Sequence, residues 1–336
     1  MSKALITGGA GFIGLHLARR LTETGETVDI ADNFARGARD DALAEVAARD
    51  GVRVLDCDLL TAGATGATGA ADDLDADYDV IYHCAARLGV KAVSEAPFAV
   101  LRDNVAMTEA ALDLARRQTA LRRFVFASTS EVYGGSEARL ELPFPTPETA
   151  VLALPDLAQP RSSYMTSKIY GEALTMHAGV PYTIVRPHNI FGPRMGMAHV
   201  IPELLDRARG LAPDEPLQVY SVDHSRTFCY VSDAVEMIRL AAAAEAAENG
   251  TFNIGVETPE VRIGALAEMI LEVVGKANPI AALPPTAGSP ARRCPDTRRI
   301  RDATGYAPQT DLRDGVKRTY RWYQANVFAK PGAAAE

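Results

Sequence analysis

Apolar residues in the first half of the chain form short continuous runs, and most stretches between them have helical spacing. The runs cover residues 3–9, 27–32, 52–58, 79–86, 122–129 and 181–187. Amphipathic stretches cover residues 11–25, 99–118 and 163–178. Continuous apolar runs are typical of strands buried on both faces, and their alternation with helices predicts a covered parallel sheet. Right-handed crossovers then give a doubly wound α/β architecture.

The pattern becomes irregular after residue 187. It predicts helices at 200–209, 232–248 and 263–275, and short strands at 217–220 and 251–254. We interpret this part as a smaller, irregular α/β lobe. The predicted division is a larger domain over 1–187, the lobe over 188–328 with chain crossings between the two, and a flexible tail over 329–336.

Two segments are predicted to lack regular structure. The low-complexity insert 61–70 is interpreted as a surface loop. The proline-rich segment 140–160 is long enough to be typical of a binding loop or lid.

Composition and charge exclude several classes of protein. The 336 residues are 47% hydrophobic and 23% charged, as in an ordinary globular protein. The net charge of −8 argues against nucleic acid as a partner. The four cysteines form no CxxC pair, so the sequence predicts neither a metal site nor a disulfide framework. With no apolar leader and no membrane-spanning run, we expect a cytoplasmic protein with reduced thiols and no membrane partner.

The glycine-rich stretch ITGGAGFIG follows the first strand and opens the first helix. Its glycines permit a tight turn and close approach to a pyrophosphate, which meets the partial positive charge of the helix N-terminus. Asp32 ends the second strand, where a carboxylate accepts hydrogen bonds from ribose hydroxyls and repels a 2′-phosphate. This predicts a Rossmann-type domain that binds NAD rather than NADP, although Arg36 and Arg39 lie close by. The predicted contacts in the loop are Gly8, Gly11, Phe12, Ile13 and Gly14.

Tyr164 and Lys168 lie four residues apart in a predicted helix, so their side chains share one face. Thr129 ends a central strand, at the carboxyl edge where open α/β sheets place their ligands.

Six motifs, taken in chain order, resemble those of the extended short-chain dehydrogenase/reductase family of nucleotide-sugar epimerases, dehydratases and decarboxylases. They are GGAGFIG, DCDL (56–59), HCAA (83–86), ASTSEVYG, YMTSK and RPHNIFGPR (186–194). The resemblance runs from residue 4 to about 325 and implies that Thr129, Tyr164 and Lys168 are catalytic. It also implies cofactor contacts by Tyr164 and Lys168 and by Asn33, Asp58, Leu59, Cys84, Ala85, Ala86, Asn104 and Pro187.

The chemistry implied by the resemblance explains these residue types. Oxidation of a sugar C4 hydroxyl needs a base for the O–H proton while hydride passes to the nicotinamide. A phenol with a pKa of about 10 is a poor base, and a nearby ammonium lowers that pKa. Thr129 hydrogen-bonds the same oxygen, and Lys168 also binds the nicotinamide ribose.

The resemblance places a nucleotide-sugar site in the second lobe. Arg226 and Arg293 match positions that hold the substrate, and a planar guanidinium suits a diphosphate. The implied substrate contacts are Thr129, Asn189, His199, Val200, Val219, Tyr220, Arg226 and Arg293.

Three reactions of the family share a 4-keto intermediate. The segments TSEVYG and RRCPD resemble the UDP-glucuronate decarboxylases, which adds Ser130, Glu131 and Arg293 to the catalytic candidates. The first alternative is a 4-epimerase of a UDP-hexose or UDP-glucuronate, and the second is a nucleotide-sugar dehydratase. His188 departs from the apolar residue usual in the decarboxylases and is interpreted as either a structural histidine or a change in the sugar pocket.

A non-catalytic NAD-binding sensor or scaffold is the hypothesis from a different class. Such proteins typically lack the Tyr or the Lys, and this chain has both Tyr164 and Lys168. Many members of the family pair through two helices, so the alanine-rich stretches 105–117 and 165–178 predict a homodimer.

Overall fold

The computed structural model describes residues 2–61, 74, 77–154, 156–285 and 289–329. Of the segments singled out above, residues 62–70 of the low-complexity insert and 330–336 of the tail lie outside these ranges.

The first part of the chain alternates strands with helices, as its apolar pattern predicts. Its elements are β1 (Lys3–Thr7), α1 (Phe12–Glu23), β2 (Thr27–Asp32), α2 (Asp41–Ala47), β3 (Val52–Asp56), β4 (Val80–His83), α3 (Val90–Glu95), α4 (Pro97–Arg116), β5 (Arg123–Ala127), α5 (Gly134–Arg139), α6 (Ser162–His177) and β6 (Tyr182–Pro187). A 3₁₀ turn, Ser130–Tyr133, precedes α5.

The second part has shorter strands. Its elements are β7 (Ile190–Phe191), α7 (Val200–Gly210), β8 (Leu217–Tyr220), β9 (Ser225–Arg226), β10 (Cys229–Tyr230), α8 (Val231–Ala243), β11 (Gly250–Ile254), β12 (Val261–Arg262), α9 (Ile263–Val274), β13 (Ile280–Leu283), β14 (Arg292–Arg293), α10 (Arg298–Thr304) and α11 (Leu312–Tyr323). A 3₁₀ turn covers Glu245–Ala247, and a π-helical turn, Gln324–Phe328, extends α11.

Seven parallel strands form the large sheet, in the order β11-β6-β5-β4-β1-β2-β3. From β1 the chain winds outward in one direction through β2 and β3, and then in the other through β4, β5 and β6. Both faces are covered, so residues of opposite orientation such as Leu5 and Ile6 are both fully buried. The predicted doubly wound α/β fold is therefore confirmed.

One strand lies elsewhere than the sequence pattern suggests. The run 251–254 was assigned to the small lobe, but β11 is the edge strand of the large sheet, beside β6. All five of its residues are buried. A strand buried on both faces needs covering layers on both, which the large sheet supplies. The chain thus returns to the large domain, and α8 packs against α1.

The small lobe is built from short strand pairs and three helices. Strand β9 pairs with β12 and β14, while β8 pairs with β13 and β7 with β10. Helices α7, α9 and α11 enclose a separate apolar core around Leu205, Leu266 and Val316. In the described part of the chain no helix is both long and apolar enough to cross a membrane.

A buried ion pair joins the helix that carries Tyr164 and Lys168 to the sheet. Arg186 on β6 donates from Nε and Nη2 to the two carboxylate oxygens of Glu172 on α6, at 2.9 and 2.6 Å. Both side chains are 4% exposed. Ser128, beside Thr129, donates from Oγ to Glu172 at 2.5 Å. The pair therefore fixes α6 relative to the ends of β5 and β6.

The network continues into the second half of the chain. Arg186 donates to the hydroxyl of Tyr133 at 2.7 Å, and that hydroxyl donates to Oδ1 of Asn253 at 2.9 Å. The Nδ2 group of Asn253 donates to the carbonyls of Thr146 and Asp296, at 2.9 and 3.1 Å. The proline-rich segment is thereby anchored to β11 and to the stretch that follows Arg293.

The Arg186→Met variant is expected to lose about 3–5 kcal/mol of unfolding free energy, because it leaves the buried Glu172 carboxylate without an opposite charge. Urea unfolding at pH 7 measures the loss. The control is Arg313→Met, because Arg313 pairs with Glu272 while the side chains are 44% and 61% exposed. That variant is expected to lose at most about 1 kcal/mol. Equal losses in the two variants would contradict the role given to the buried pair.

Candidate active site

The glycine loop between β1 and α1 is packed so closely that side chains are excluded. Gly8 has a φ of +69°, and a Cβ added there would lie 2.6 Å from the backbone N and Cα of Ala85. A Cβ on Gly14 would lie 2.6 Å from the carbonyl oxygen of Gly8. Gly11 begins α1 as its N-cap residue, so the free N–H groups of Phe12 and Ile13 follow it. The loop therefore has the form required to hold a pyrophosphate.

Asp32 joins the glycine loop to the loop after β2. Its Oδ2 accepts from the backbone N–H of Ala10 at 3.0 Å, and its Oδ1 from that of Phe34 at 2.8 Å. A carboxylate has about four acceptor positions, so two remain for the hydroxyls of a ribose. Asn33 accepts from the N–H of Ala35 at 3.0 Å and shapes the same turn.

Two of the predicted cofactor contacts, Asp58 and Leu59, lie beside this ribose site. Asp58 and Leu59 follow β3, whose last residue Asp56 is in register with Asp32. Arg39 donates to Asp56 at 2.6 Å and stacks 3.5 Å above the ring of Phe34.

Arg36 extends away from the ribose site. Its guanidinium approaches Gly89 and acts electrostatically on Tyr164. Neither Arg36 nor Arg39 is therefore placed as a free cation at a ribose 2′-position.

Three further predicted cofactor contacts, Cys84, Ala85 and Ala86, directly follow β4. The N–H of Cys84 donates to the carbonyl of Thr7 at 3.0 Å, which brings Ala85 against Gly8. Asn104 is 3% exposed and binds both the N–H and the carbonyl of Arg87, at 2.6 and 3.0 Å. It also donates to Ser167 on α6 at 3.1 Å. Asn104 therefore supports the cofactor site from within the core.

Tyr164 and Lys168 lie on the face of α6 that meets the end of β5. The Nζ of Lys168 donates to the carbonyl of Ala127 at 2.8 Å and lies 6.0 Å from the centre of the Tyr164 ring. Burial lowers the pKa of Lys168 to about 8. Thr129 accepts from the N–H of Glu131 at 3.2 Å and directs its hydroxyl at the Tyr164 phenol.

The electrostatic surroundings of Tyr164 favour the neutral phenol in the protein alone. Burial raises the pKa of Tyr164 above its ordinary value, and the Glu131 carboxylate raises it further. The hydrogen bond from Thr129 and the charge of Arg36 lower that pKa. Arg36 was not recognised from the sequence as a neighbour of the catalytic tyrosine, because it lies 128 positions earlier in the chain.

Arg293 and Arg226 form a concentrated positive site beside Glu131. They are in register on the parallel strands β14 and β9. Burial and the charge of Arg293 lower the pKa of Arg226 to about 10. Burial also lowers the pKa of Arg293, which the carboxylates of Glu131 and Glu137 partly offset. Within the described residues, the Arg293 guanidinium makes no hydrogen bond or ion pair, so it remains available to an anion.

Arg226 is partly committed to supporting its own strand pair. It donates from Nη1 to the carbonyl of Ser225 at 2.7 Å and from Nη2 to that of Pro290. Ser130 is 4% exposed within the turn that carries Glu131. The structure thus brings Thr129, Tyr164, Glu131 and Arg293 into one electrostatically coupled group.

A cavity of about 220 Å³ in the small lobe contains five of the predicted substrate residues. They are Asn189, Val200, Val219, Tyr220 and Arg226. His199 is outside its lining and begins α7 instead. The lining also includes residues that sequence reasoning missed, namely Glu203, Leu204, Arg207, Ser221, His224, Phe228, Ile263 and Ser289. The helical spacing of Val200, Leu204 and Arg207 is the sequence feature that could have indicated the cavity residues on α7.

His188 belongs to the core beneath the site. It is 1% exposed, and burial lowers its pKa to about 3. Its Nε2 lies 3.0 Å from Oδ1 of Asn253. Because the Nδ2 of Asn253 donates to two carbonyls, Oδ1 is an acceptor and Nε2 of His188 carries the proton. Of the two interpretations offered above, this geometry favours the structural one.

The chain belongs to the NAD dependent epimerase/dehydratase family, whose model matches residues 4–255. The expected family, the class of enzyme and NAD as its cofactor are thereby confirmed. The close packing at Gly8 and Gly14, where an added Cβ would lie 2.6 Å from backbone atoms, and the remaining acceptor positions of Asp32 suit this cofactor.

Two relatives extend the comparison beyond the family match. A UDP-N-acetyl-alpha-D-glucosaminuronate decarboxylase from Bacillus cytotoxicus is 31% identical over 96% of this chain and 98% of its own. UDP-glucuronic acid decarboxylase 2 of Arabidopsis thaliana is 31% identical over 99% of this chain and 71% of its own.

A solved structure gives a similar result for the fold. It is a dTDP-glucose 4,6-dehydratase from Streptomyces venezuelae with NAD bound, and it aligns with a TM-score of 0.82 at 25% identity. The alignment covers 99% of this chain and 100% of the other.

The Gly8→Ala variant is expected to raise the dissociation constant of NADH at least tenfold, because the new methyl group would displace the Ala85 backbone. The control is Gly179→Ala, because Gly179 has a φ of +74° with nothing within 4 Å of an added Cβ. Both variants are expected to lose about 1–2 kcal/mol of stability from backbone strain. Titration of NADH fluorescence separates them, and wild-type affinity in Gly8→Ala would contradict the assignment of the loop.

Proposed function

We propose that the protein decarboxylates a UDP-hexuronate through a 4-keto intermediate. The observation that carries this proposal is the half-buried Arg293 guanidinium, which has no hydrogen-bond or ion-pair partner among the described residues. Its charge interacts with the Glu131 carboxylate. Two relatives that match 96% and 99% of this chain are named as decarboxylases of UDP-hexuronates, which supports the proposal. A sugar carboxylate is the group that such a cation binds in bidentate fashion.

When held by the glycine loop and Asp32, NAD would supply the acceptor for the hydride of C4 and the donor that reduces the intermediate again. In the first step, Tyr164 takes the proton of the C4 hydroxyl and Thr129 hydrogen-bonds the same oxygen. Lys168 binds the ribose of the nicotinamide and, as an ammonium, favours the phenolate. Since its pKa is lowered to about 8, it is largely charged at neutral pH.

The 4-keto hexuronate is a β-keto acid, so its C5–C6 bond can break. The bond electrons pass into the enolate of C4, and CO₂ leaves. The phenol of Tyr164 donates a hydrogen bond to the O4 enolate. Arg293 holds the carboxylate until it leaves, and a proton from water reaches C5 through Glu131 or Arg293. In the final reduction Tyr164 returns its proton to O4, and the product is a pentose nucleotide.

The second candidate is 4-epimerisation of a UDP-hexose or UDP-hexuronate. It needs only Tyr164, Lys168 and Thr129, which the structure groups together. Glu131 and an unpaired Arg293 have no task in the simple epimerisation of a neutral hexose, which favours decarboxylation. Dehydration is less favoured, because Ser130 and Glu131 stand where the dTDP-glucose dehydratases carry an Asp-Glu pair.

Incubation with UDP-glucuronate, UDP-N-acetylglucosaminuronate and UDP-glucose, read by mass spectrometry and NMR, tests the reaction. We expect a hexuronate to lose the mass of CO₂. An isomer of unchanged mass would select the epimerase, and loss of water would select the dehydratase. Absence of turnover with every nucleotide sugar would contradict all three.

The role of Arg293 is tested with its neighbour as a control. Arg293→Gln should lower kcat/KM by about 10²–10³-fold, the usual effect of removing one group that stabilises developing charge. Arg292→Gln should keep wild-type activity, because Arg292 is exposed and bound to Glu260 at 2.7 Å.

We also infer a homodimer paired through α4 and α6. These helices lie side by side and expose Phe98, Leu101, Tyr170 and Met176, with exposed fractions of 73%, 36%, 47% and 42%. An apolar face of this kind on two adjacent helices suits a second copy of itself. The four cysteines all lie in the described residues and none of them forms a disulfide, which supports a reducing compartment such as the cytoplasm.

Tyr170→Glu is expected to convert the dimer to a monomer, because it places a charge within the apolar face. Sedimentation equilibrium measures the mass. Leu157→Glu serves as the control, since Leu157 is 63% exposed outside both helices. A monomeric wild-type protein, or a dimer that survives Tyr170→Glu, would contradict this interface.

A further inference from the structure

Arg194 reaches from the small lobe into the cofactor-binding loops. It lies in the 192–199 connection between β7 and α7, and its side chain is 8% exposed. Its Nη1 donates to the carbonyl of Ala10 at 2.6 Å, and its Nη2 to that of Ala38 at 2.8 Å. Its Nε donates to Asp40 at 2.6 Å. One guanidinium thus binds both the glycine loop and the loop after β2.

Each bonded group already has a task in the cofactor site. Ala10 donates its N–H to Asp32 and accepts from Arg194 at its carbonyl oxygen. Both backbone polar groups of this glycine-loop residue are therefore held in place. Asp40 uses its other oxygen to cap α2, accepting from the N–H of Leu43 at 3.0 Å. Arg194 therefore holds the pyrophosphate loop and the ribose loop at a fixed separation.

The backbone of the connection is itself held in place. Arg194 has a φ of +68°, a backbone conformation that is strained for a residue other than glycine. The carbonyl of Pro193 accepts from His16 on α1 at 3.0 Å, and the carbonyl of Met195 accepts from the hydroxyl of Tyr323 on α11. Burial lowers the pKa of His16 to about 4, so it is neutral at pH 7 and donates to this carbonyl through Nε2–H. The strained conformation is maintained by contacts on both sides.

We propose that Arg194 is a positioning residue for NAD, so that retention of the cofactor depends on a segment of the substrate lobe. Asn189, just before β7, and Val200, the first residue of α7, lie on the two sides of this connection and line the small-lobe cavity. Arg194 contacts no reacting atom. It acts by keeping the N-terminus of α1 and the carboxylate of Asp32 at the spacing that the pyrophosphate and the adenosine ribose of the cofactor require.

The test measures NADH binding without any sugar, so it is independent of the proposed reaction. Arg194→Met is expected to raise the dissociation constant of NADH at least tenfold and to lower the NAD content of the purified protein. Arg194→Lys keeps the charge but not the fork of donors, and it is expected to raise the constant to an intermediate value.

The control is Arg123→Met. Arg123 is the first residue of β5, so it lies where the strands of the sheet begin, at the end away from the cofactor loops. Its side chain is 5% exposed. It likewise donates to a side chain and a carbonyl, Thr183 at 2.8 Å and Ala244 at 3.3 Å. This variant is expected to lower thermal stability while leaving the NADH constant unchanged.

A further variant covers the case in which Arg194→Met does not fold. Asp40→Asn removes the ion pair, while asparagine can still cap α2. It is expected to raise the NADH constant about threefold to tenfold. Wild-type NADH binding in both Arg194→Lys and Asp40→Asn would overturn the proposal, as would an equal loss of binding in Arg123→Met.

Discussion

The Arg186–Glu172 ion pair is the constraint on which the catalytic geometry depends. Its partners come from β6 and α6, and Glu172 is one helical turn beyond Lys168. Two charges leave water at a cost that only near-complete hydrogen bonding offsets. Ser128 and Tyr133 supply that bonding, and each lies within four residues of Thr129. Satisfying the pair therefore positions the catalytic residues as well.

The same network connects the large domain to the residues that distinguish one reaction from another. Asn253 joins the turn that carries Glu131 to the stretch after Arg293 through the carbonyls of Thr146 and Asp296. His188 binds Asn253 in the core. The stretch that carries Arg293 is thus connected to the same polar core as Thr129, Tyr164 and Lys168. Arg194 makes the opposite connection, from the small lobe to the cofactor loops.

Local patterns carried most of the fold prediction. Strands buried on both faces are continuous apolar runs, and the glycine loop has a spacing that follows from its contact with a neighbouring backbone. Tyr164 and Lys168 meet because helical geometry brings residues four apart together. The edge strand β11 was harder to assign, because a short apolar run carries no information about which sheet it joins.

The sequence alone determined the doubly wound domain, the family and the placement of Tyr164 and Lys168 on one helix face, since each depends on spacing within short segments. The tertiary structure decided which distant groups meet. Arg226 and Arg293 are in register on two neighbouring strands, and Arg36 lies near Tyr164. His188 lies in the core, and Arg194 binds the glycine loop. These contacts join residues far apart in the chain, and only the packing of the lobes fixes their distances.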